Sequence, residues 1–575
     1  MAAPMLLAFN APPSPTVLNG LLAIGLWGLV LAMLPRVPRL PPGSVAAALA
    51  AATSVVLAAV ASAVFGSLPA SIAAGTVAVV GAAALVLLAA AAPFDHRTRR
   101  AASDGFWWGL VIAGGLSAVI AMIQVFAPDW PDGTWIARSS FPGRAGANLR
   151  QPNHLSSLAL WAIVAWVALA GQRRWRMPLA LAVYAALLFA VVLTGSRTGI
   201  LGTAVLALWG LVDRRLPRPW RIALLTSPLV FALLWSAMAA WAYFTGHLFG
   251  AEGHVLLGGG GGDISSSRFA IWSNALAMIA AEPWTGVGWG EFNLAWTLSA
   301  FPHRPTAFFD HTHNLPLQLL VELGIPLGTA VIVLLAVALV QAGRRAWACD
   351  DDEALSRRAA LMIVLMIGLH SLLEYPLWYA YFLLPVAFAW GFALSPLTPA
   401  AAHQAGERPE APPLPNHGGS RTLSFAGLAL AIGAAAAAFD YWRVVAIYDP
   451  GEHAAPLEER IKRGQCSPLF GHHADYAAAT AFGEPKAPLS PSQQLAFERA
   501  PHQLLDVRLM IAWAQALAAE GELDKARWLA ARIREFRNPG ADEFFAPCRS
   551  AGTAATAFQC QPPSRVVHWR EFTRP

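Results

Sequence analysis

Residues 310–340 read Asp310-His311-Thr312-His313-Asn314 and then LPLQLLVELGIPLGTAVIVLLAVALV, the apolar run from Leu315 to Val340. A run of that length can cross a bilayer as a helix, which needs roughly 20 apolar residues. Two histidines and an aspartate stand where the run begins. Ionisable groups at such a boundary are costly to keep and usually functional. Imidazoles beside a carboxylate can hold, accept or relay a proton near neutral pH. The stretch therefore predicts a membrane-spanning helical protein with a chemical or proton-coupled task at one end of its helices.

The rest of the chain agrees. Of its 575 residues 56% are hydrophobic and 13% charged, with a mean hydropathy of +0.49, which excludes an ordinary soluble enzyme. Apolar runs lie near 17–35, 44–66, 68–92, 105–127, 154–171, 177–194, 198–212, 220–245, 315–342, 359–373, 377–394 and 423–446. They predict an all-α polytopic membrane protein of about 12 transmembrane helices. The runs far exceed the roughly ten-residue alternating strands of an outer-membrane barrel.

Arginines cluster in alternate loops: Arg36 and Arg39; Arg97, Arg99 and Arg100; Arg173, Arg174 and Arg176; Arg214, Arg215, Arg218 and Arg221; Arg344, Arg345, Arg357 and Arg358. The positive-inside rule assigns these loops to the cytoplasm. The other loops carry fewer: Arg138, Arg144 and Arg150, then Arg197, then Arg268 and Arg304. They are expected outside, with both termini. That is a multi-pass inner-membrane topology with long external loops at about 128–153 and 246–313. Met1–Ser14 has no basic n-region and no cleavage site follows the first run, so no cleavable signal is expected. The formal charge of +6, from 40 Lys and Arg against 34 Asp and Glu, is explained by the positive-inside arginines. No basic stripe with interleaved aromatics argues for nucleic acid.

Residues 1–446 read as the membrane domain, a polar Pro-rich stretch His403–Arg421 precedes its last helix, and 450–575 reads as a small helical periplasmic domain. Within it, Pro501–Phe536 predicts two helices joined at Gly521, and LAAEGELDKA (517–526) resembles a tetratricopeptide-type hairpin. One hairpin cannot make a solenoid, which needs about three repeats. The tail is thus either a helical cap on the membrane part or an acceptor-binding module. Cys466, Cys548 and Cys560 are expected outside, where disulfides persist, and the short separation favours the pair Cys548–Cys560. Gly258–Gly262 suits a flexible loop, since no strand precedes it and no Lys-Ser/Thr follows.

Four clusters fall on the external side. Gln151-Pro152-Asn153-His154 opens a helix. Pro suits that position and the bare N-terminus favours anions, though Asn153 could simply cap it. Gly195-Ser196-Arg197-Thr198-Gly199 is a tight turn whose arginine must snorkel, cap carbonyls or find an anion such as phosphate. Ser267-Arg268-Phe269-Ala270-Ile271-Trp272 starts a stretch amphipathic enough to lie on the membrane surface, where Arg268 is either solvated or a second cation for phosphate. The fourth joins His311 and His313 to His370, Glu374, Tyr375 and Tyr379. Singly, each histidine could be a cap or a packing residue. No His-Glu-x-x-His or paired-cysteine pattern supports zinc, which wants three or four convergent ligands, and no metal or cofactor is expected.

Together these groups offer cations for a diphosphate, an imidazole for a proton and a bilayer for a lipid tail. Group transfer from a lipid-linked pyrophosphate needs those parts. Fixed arginines stabilise the charge growing on the leaving diphosphate, and a base removes the proton of the attacking hydroxyl.

Gln151-Pro152-Asn153-His154, Ser196-Arg197-Thr198, Arg268 with Trp272 and Asn274, Gly286-Val287-Gly288-Trp289, His311 to Asn314 with Leu317-Gln318-Leu319-Leu320 and Glu322, and Leu373 to Tyr379 resemble the PglL-type bacterial O-oligosaccharyltransferases. These belong to the superfamily of O-antigen ligases and polymerases. The tail from Pro501 through Ala526 resembles their C-terminal periplasmic part, so coverage runs from about residue 105 to the end. The resemblance implies an inner-membrane glycosyltransferase, metal-independent and inverting. It would move an oligosaccharide en bloc from undecaprenyl pyrophosphate to Ser or Thr of a periplasmic protein such as a pilin. It makes His313 the general base or acceptor-orienting residue, with Glu374 orienting neighbours and Tyr375 and Gln151 lining the site. Arg197 and Arg268 would hold the pyrophosphate, with His154, His311 and Asn314 completing the donor-binding set. One departure is Gly324-Ile325-Pro326-Leu327-Gly328, which has Leu where ligases place Gly, Thr or Val.

The nearest rival is an O-antigen ligase acting on lipid A-core, against which the tail speaks. An O-antigen polymerase is next. A proton-coupled transporter is the rival of another class, but no inverted repeat with broken midplane helices is visible.

Overall fold

The computed structural model describes residues 1–35, 43–172, 175–250, 264–306, 308–349, 353–397, 399–406, 420–481, 483 and 487–573. Gly258–Gly262 and most of the Pro-rich stretch before the last membrane helix lie outside these residues.

The protein is all-helical, and every apolar run read from the sequence contains a helix. Along the chain these are α1 (Val17–Ala32), α2 (Ala46–Val64), α3 (Ala70–Ala90), α4 (His96–Phe126), α5 (Pro152–Gln172), α6 (Met177–Leu193), α7 (Arg197–Val212) and α8 (Ser227–Thr245). After α9 (Ile264–Ala281) come α10 (Leu315–Ala348), α11 (Ala354–Ser371), α12 (Ala380–Ala393) and α13 (Thr422–Tyr448). Among the described residues, 8 helices are long and apolar enough to cross a membrane: α2 to α5, α8, α10, α11 and α13. This is a multi-pass membrane protein. The expected dozen divides into these and four shorter apolar helices, of 16, 17, 16 and 14 residues, which are α1, α6, α7 and α12. At a rise of about 1.5 Å per residue, α12 covers only about 21 Å of a roughly 30 Å hydrocarbon core. The run expected over 220–245 is two helices, Arg218–Leu225 and then α8. Pro228 has no N–H to give, so the first helix ends at Leu225.

α5 is the central helix. It is apolar all round, is buried along nearly its whole length and packs against α4, α6, α7 and α11. α1 pairs with α13 through two glycines. A Cβ on Gly28 would stand 2.7 Å from the Gly427 carbonyl oxygen, and one on Gly427 would stand 2.6 Å from that of Gly28. Small residues let membrane helices approach backbone to backbone.

α10 carries the sharpest bend. Gly324 is left-handed at φ 74°, and Pro326 follows inside the helix. Ile325 turns its N–H away to Pro283 O (2.7 Å), and Pro326 has none, so the carbonyls of Val321 and Glu322 lose their helical partners. The 286–290 loop replaces both: Val287 N donates to Val321 O at 2.9 Å and Gly288 N to Glu322 O at 3.0 Å. Gly286, also left-handed, allows the approach, since a Cβ there would collide with the backbone of Glu322 and Gly324.

One end of the bundle is tied by the arginines read as topology markers. Arg358 pairs with Asp213 at 2.6 Å and Arg357 with Glu353 at 3.2 Å, as does Arg99 with Glu353. Arg345 donates to the Leu394 and Ser395 carbonyls. At the other end lie the tail and the ionisable clusters. The tail comprises α14 (Leu457–Gln465), α15 (Gly471–Thr480), α16 (Pro491–Gln503), α17 (Val507–Ala519) and α18 (Leu523–Phe536). α17 and α18 form the expected hairpin, turning at left-handed Gly521, and Cys548 is bonded to Cys560. The tail shares one core with the segment before α10: Phe292, Trp296 and Phe309 pack with Leu509, Trp513, Ile533 and Phe536.

Candidate active site

The site begins where α10 begins. Asn314 caps the helix by accepting from Leu317 N (3.1 Å), while its amide donates to Leu372 O (3.1 Å) at the end of α11. Thr312 N donates to Gln318 Oε1 at 2.8 Å, and Trp272 of α9 donates to Thr312 O at 2.9 Å. His313 is held between these pinned neighbours in a left-handed conformation, φ 54°. A non-glycine residue pays about 1–3 kcal/mol to sit in such a sparsely populated region, and such residues cluster at functional sites.

That conformation aims the imidazole at Glu374. His313 Nδ1 lies 2.6 Å from Glu374 Oε2. Glu374 Oε1 accepts from Asn153 Nδ2 at 3.0 Å and pairs with Arg268. The carboxyl is buried, which would raise its pKa. The His313 hydrogen bond, together with the charges of His313 and Arg268, outweighs burial and holds it below its ordinary value. Glu374 is thus an anion whose Oε2 faces Nδ1. A ring bound through Nδ1–H presents Nε2 as its acceptor nitrogen.

Aromatic rings wall the dyad. His313 meets Tyr375 edge-on at 4.9 Å and Phe309 at 5.3 Å. His311 stacks on Tyr375 at 4.4 Å, and its Nδ1 lies 3.2 Å from Asp310 Oδ1. Burial pushes the Tyr375 phenol far up and that of Tyr379 to about 12, so both remain neutral hydroxyls.

The cations gather on the Arg197 side. Arg197 opens α7 behind the cap Ser196. Arg144 donates to Thr194 O at 3.0 Å, and burial and then the Arg197 charge depress its pKa. Two guanidinium groups set close together make a place for an anion.

The structure therefore brings together His313, Glu374, Tyr375, His311 and Arg268, with Arg197 beside Arg144. Asn314 caps α10. Gln151, rather than Asn153, caps α5, accepting from His154 N at 3.0 Å. His154 is buried one layer beneath, 3.2 Å from the Tyr381 hydroxyl and edge-on to Tyr379. His370 is equally buried, with Nδ1 2.8 Å from Ser157 Oγ. Arg144 and Asn153 are the additions that sequence reasoning lacked as site residues. The only sequence signal for Arg144 was a third arginine in the 128–153 loop. No trio of His, Cys, Asp or Glu groups converges among the described residues.

A cavity of about 580 Å³ opens between α2, α3, α10 and α12. Its walls are small and aliphatic, and its polar head holds Asp310, His311, Glu322 and His502. None of Arg144, Arg197 or Arg268 lines it. The arginines that suit a diphosphate lie on the other side of the site.

Known proteins share these parts. A family described as O-Antigen ligase matches residues 181–333, which hold the Arg197, Arg268 and His313 clusters. A second, described as Virulence factor membrane-bound polymerase, C-terminal, matches residues 358–543, which hold Glu374 and most of the tail. These two matches bear out the resemblance of the chain to the O-antigen ligase superfamily. The resemblance to its PglL-type branch is also borne out. The chain is 29% identical to the General O-oligosaccharyltransferase of Acinetobacter baylyi over 253 residues, 43% of each chain. It is 25% identical to the ComP-specific O-oligosaccharyltransferase of the same organism over 292 residues, 50% of each. The matched part thus spans about half the length of these curated relatives.

Proposed function

We propose that this protein is an inner-membrane protein O-oligosaccharyltransferase. It takes a glycan en bloc from undecaprenyl pyrophosphate and joins it to a Ser or Thr hydroxyl of a periplasmic protein such as a pilin. The observation that carries the reading is the His313–Glu374 pair set beside Arg268, with the Arg144–Arg197 pair nearby, at the polar end of the bundle. The basic ends of α4, α10 and α11 lie at the opposite end, as expected for a site facing the periplasm.

The residues divide the work as follows. The diphosphate lies against Arg144, Arg197 and Arg268, and the polyprenyl chain stays in the bilayer. The acceptor hydroxyl meets His313 Nε2. As its oxygen attacks the anomeric carbon, the proton moves to Nε2 and Glu374 stabilises the imidazolium. The C1–O bond to phosphate breaks opposite the new bond, which inverts the anomeric centre. The electron pair leaves on undecaprenyl pyrophosphate, whose growing charge the arginines neutralise without a metal.

Intact mass spectrometry of a pilin, co-expressed with this protein in a host that makes a lipid-linked glycan and lacks its own ligase, tests the reading. A gain of one whole glycan, lost in His313→Ala, is expected. Glycan on lipid A-core with unmodified pilin would assign the ligase activity instead, and a lengthened lipid-linked glycan the polymerase activity. The matches to ligase and oligosaccharyltransferase relatives favour group transfer over proton-coupled transport.

A further inference from the structure

We propose that Asn153 is a positioning residue that fixes the tautomer of His313 and ties it to the turn carrying Arg197. This rests on the function proposed above. Asn153 bridges two helix ends: its Nδ2 donates to Glu374 Oε1 at 3.0 Å and its Oδ1 accepts from Ser196 Oγ at 2.6 Å. Ser196 in turn accepts from Gly199 N (3.3 Å) and from Ser156 Oγ (3.2 Å), so its own hydrogen is committed to Asn153. A continuous line of hydrogen bonds therefore runs from the imidazole through Glu374 and Asn153 to the residue before Arg197.

An amide suits this place because it donates at one end, accepts at the other and does not titrate. Turned round, Asn153 would set its oxygen against a carboxylate oxygen. Pinned by Ser196, it keeps N–H on Oε1, which leaves Oε2 to take Nδ1–H of His313 and Nε2 to meet the acceptor hydroxyl. Capping does not explain Asn153, since Gln151 caps α5. The other charged or titratable groups around this carboxylate and its imidazole include Arg268 from α9, His370 one turn earlier on α11, Tyr375 and Tyr379 before α12, Arg144 from the loop before α5, and Asp310 before α10.

The test is the pH profile of transfer from undecaprenyl-pyrophosphate-linked oligosaccharide to purified pilin by the full-length protein in detergent. Asn153→Asp is isosteric and sets a second carboxylate against Glu374. A nearby negative charge holds an imidazole protonated to higher pH, and two carboxylates that share a proton add an ionisation of their own. The acid limb is therefore expected to move up by roughly one pH unit, a loss of about tenfold on that limb recovered at higher pH. A profile superimposable on the wild type, from protein with unchanged thermal unfolding, overturns the proposal. Ser196→Ala gives an independent reading should Asn153→Asp fail to accumulate. It unpins the amide, and a several-fold lower kcat at unchanged donor KM is expected, whereas wild-type kcat overturns the proposal. His313→Ala separates the two levels. If it keeps its rate, the functional reading itself fails. If it loses its rate while Asn153→Asp matches wild type, only the role of Asn153 fails.

Discussion

Glu374→Gln keeps the shape of the site and inverts one hydrogen bond. The glutamine oxygen can go on accepting from Asn153 and Arg268, so the amide nitrogen takes the place of Oε2, 2.6 Å from His313 Nδ1. An NH₂ group there needs an acceptor. Nδ1 must give up its proton, and the ring hydrogen moves to Nε2. An Nε2 that already carries hydrogen cannot take one from a hydroxyl, and the charge that stabilised the imidazolium is gone. Losing general-base assistance costs roughly 10²–10⁴-fold in rate, or about 2.7–5.5 kcal/mol of barrier. Folding survives, because both donors keep an acceptor. Glu374→Ala strands Asn153 and Arg268, and a stranded buried donor costs about 1–3 kcal/mol, at the low end for the partly exposed arginine. The assay is the initial rate of glycan transfer to pilin by the purified protein at pH 7 with saturating donor, read by intact mass, alongside thermal unfolding in the same detergent. A folded Glu374→Gln protein within about threefold of the wild-type rate, under 1 kcal/mol, would refute the reasoning.

Arg197→Ala and Arg268→Ala should each lower kcat/KM for the lipid-linked donor by about 10–100-fold, since a charge-assisted hydrogen bond contributes about 1.5–3 kcal/mol; steady-state kinetics at varied donor checks this, and an unchanged kcat/KM removes that arginine from the diphosphate site. Gly324→Ala puts a Cβ against the Trp284 carbonyl at φ 74° and should destabilise by about 1–3 kcal/mol, whereas Gly343→Ala on the same helix, where a Cβ meets nothing within 4 Å, should leave thermal unfolding unchanged or slightly raised. Asp475 in the tail is pushed up to about 6 by burial, against its bond to Gln465 and the Arg499 charge. A carboxyl raised in the folded state contributes stability that is complete below its ordinary pKa and is lost as pH rises through about 6. Asp475→Asn should therefore stabilise the tail by on the order of 2 kcal/mol at pH 7 and hardly at all at pH 4, which thermal unfolding at the two pH values will read.

Periodicity and composition made the helices legible because lipid allows no unpaired backbone, so a long apolar run has one solution. The chain contacts that build the site were not legible in the same way. Gln151 and Asn153 both stand at the start of α5, and either could cap it. Only the placement of Glu374 and Ser196 decides that Gln151 caps and Asn153 bridges. Arg345, Arg357 and Arg358 were read only as markers of a cytoplasmic loop; the structure adds that they are buried and bind carbonyls and carboxylates, because helix ends inside a bundle need donors. The pairing of His313 with Glu374 spans 61 positions, and no local pattern encodes it. Residue types betrayed it instead, since both ionisable groups stood at a membrane boundary, where such groups are costly to keep.

The tail is bound up with the site through the segment that precedes α10. Segment 283–313 hangs between α9 and α10, and the tail holds it at several points. Glu291 meets His502 at 2.7 Å, Leu505 N donates to Asn293 Oδ1 at 2.8 Å, Trp528 donates to Leu298 O at 2.8 Å, and Arg304 pairs with Glu535 at 2.8 Å under the rings of Trp296 and Phe536. The end of that segment carries Phe309 against the His313 ring, and its start supplies the two N–H groups that repair the break in α10. A left-handed histidine keeps its aim only while its neighbours are held. The tail is thus part of the frame that presents the imidazole.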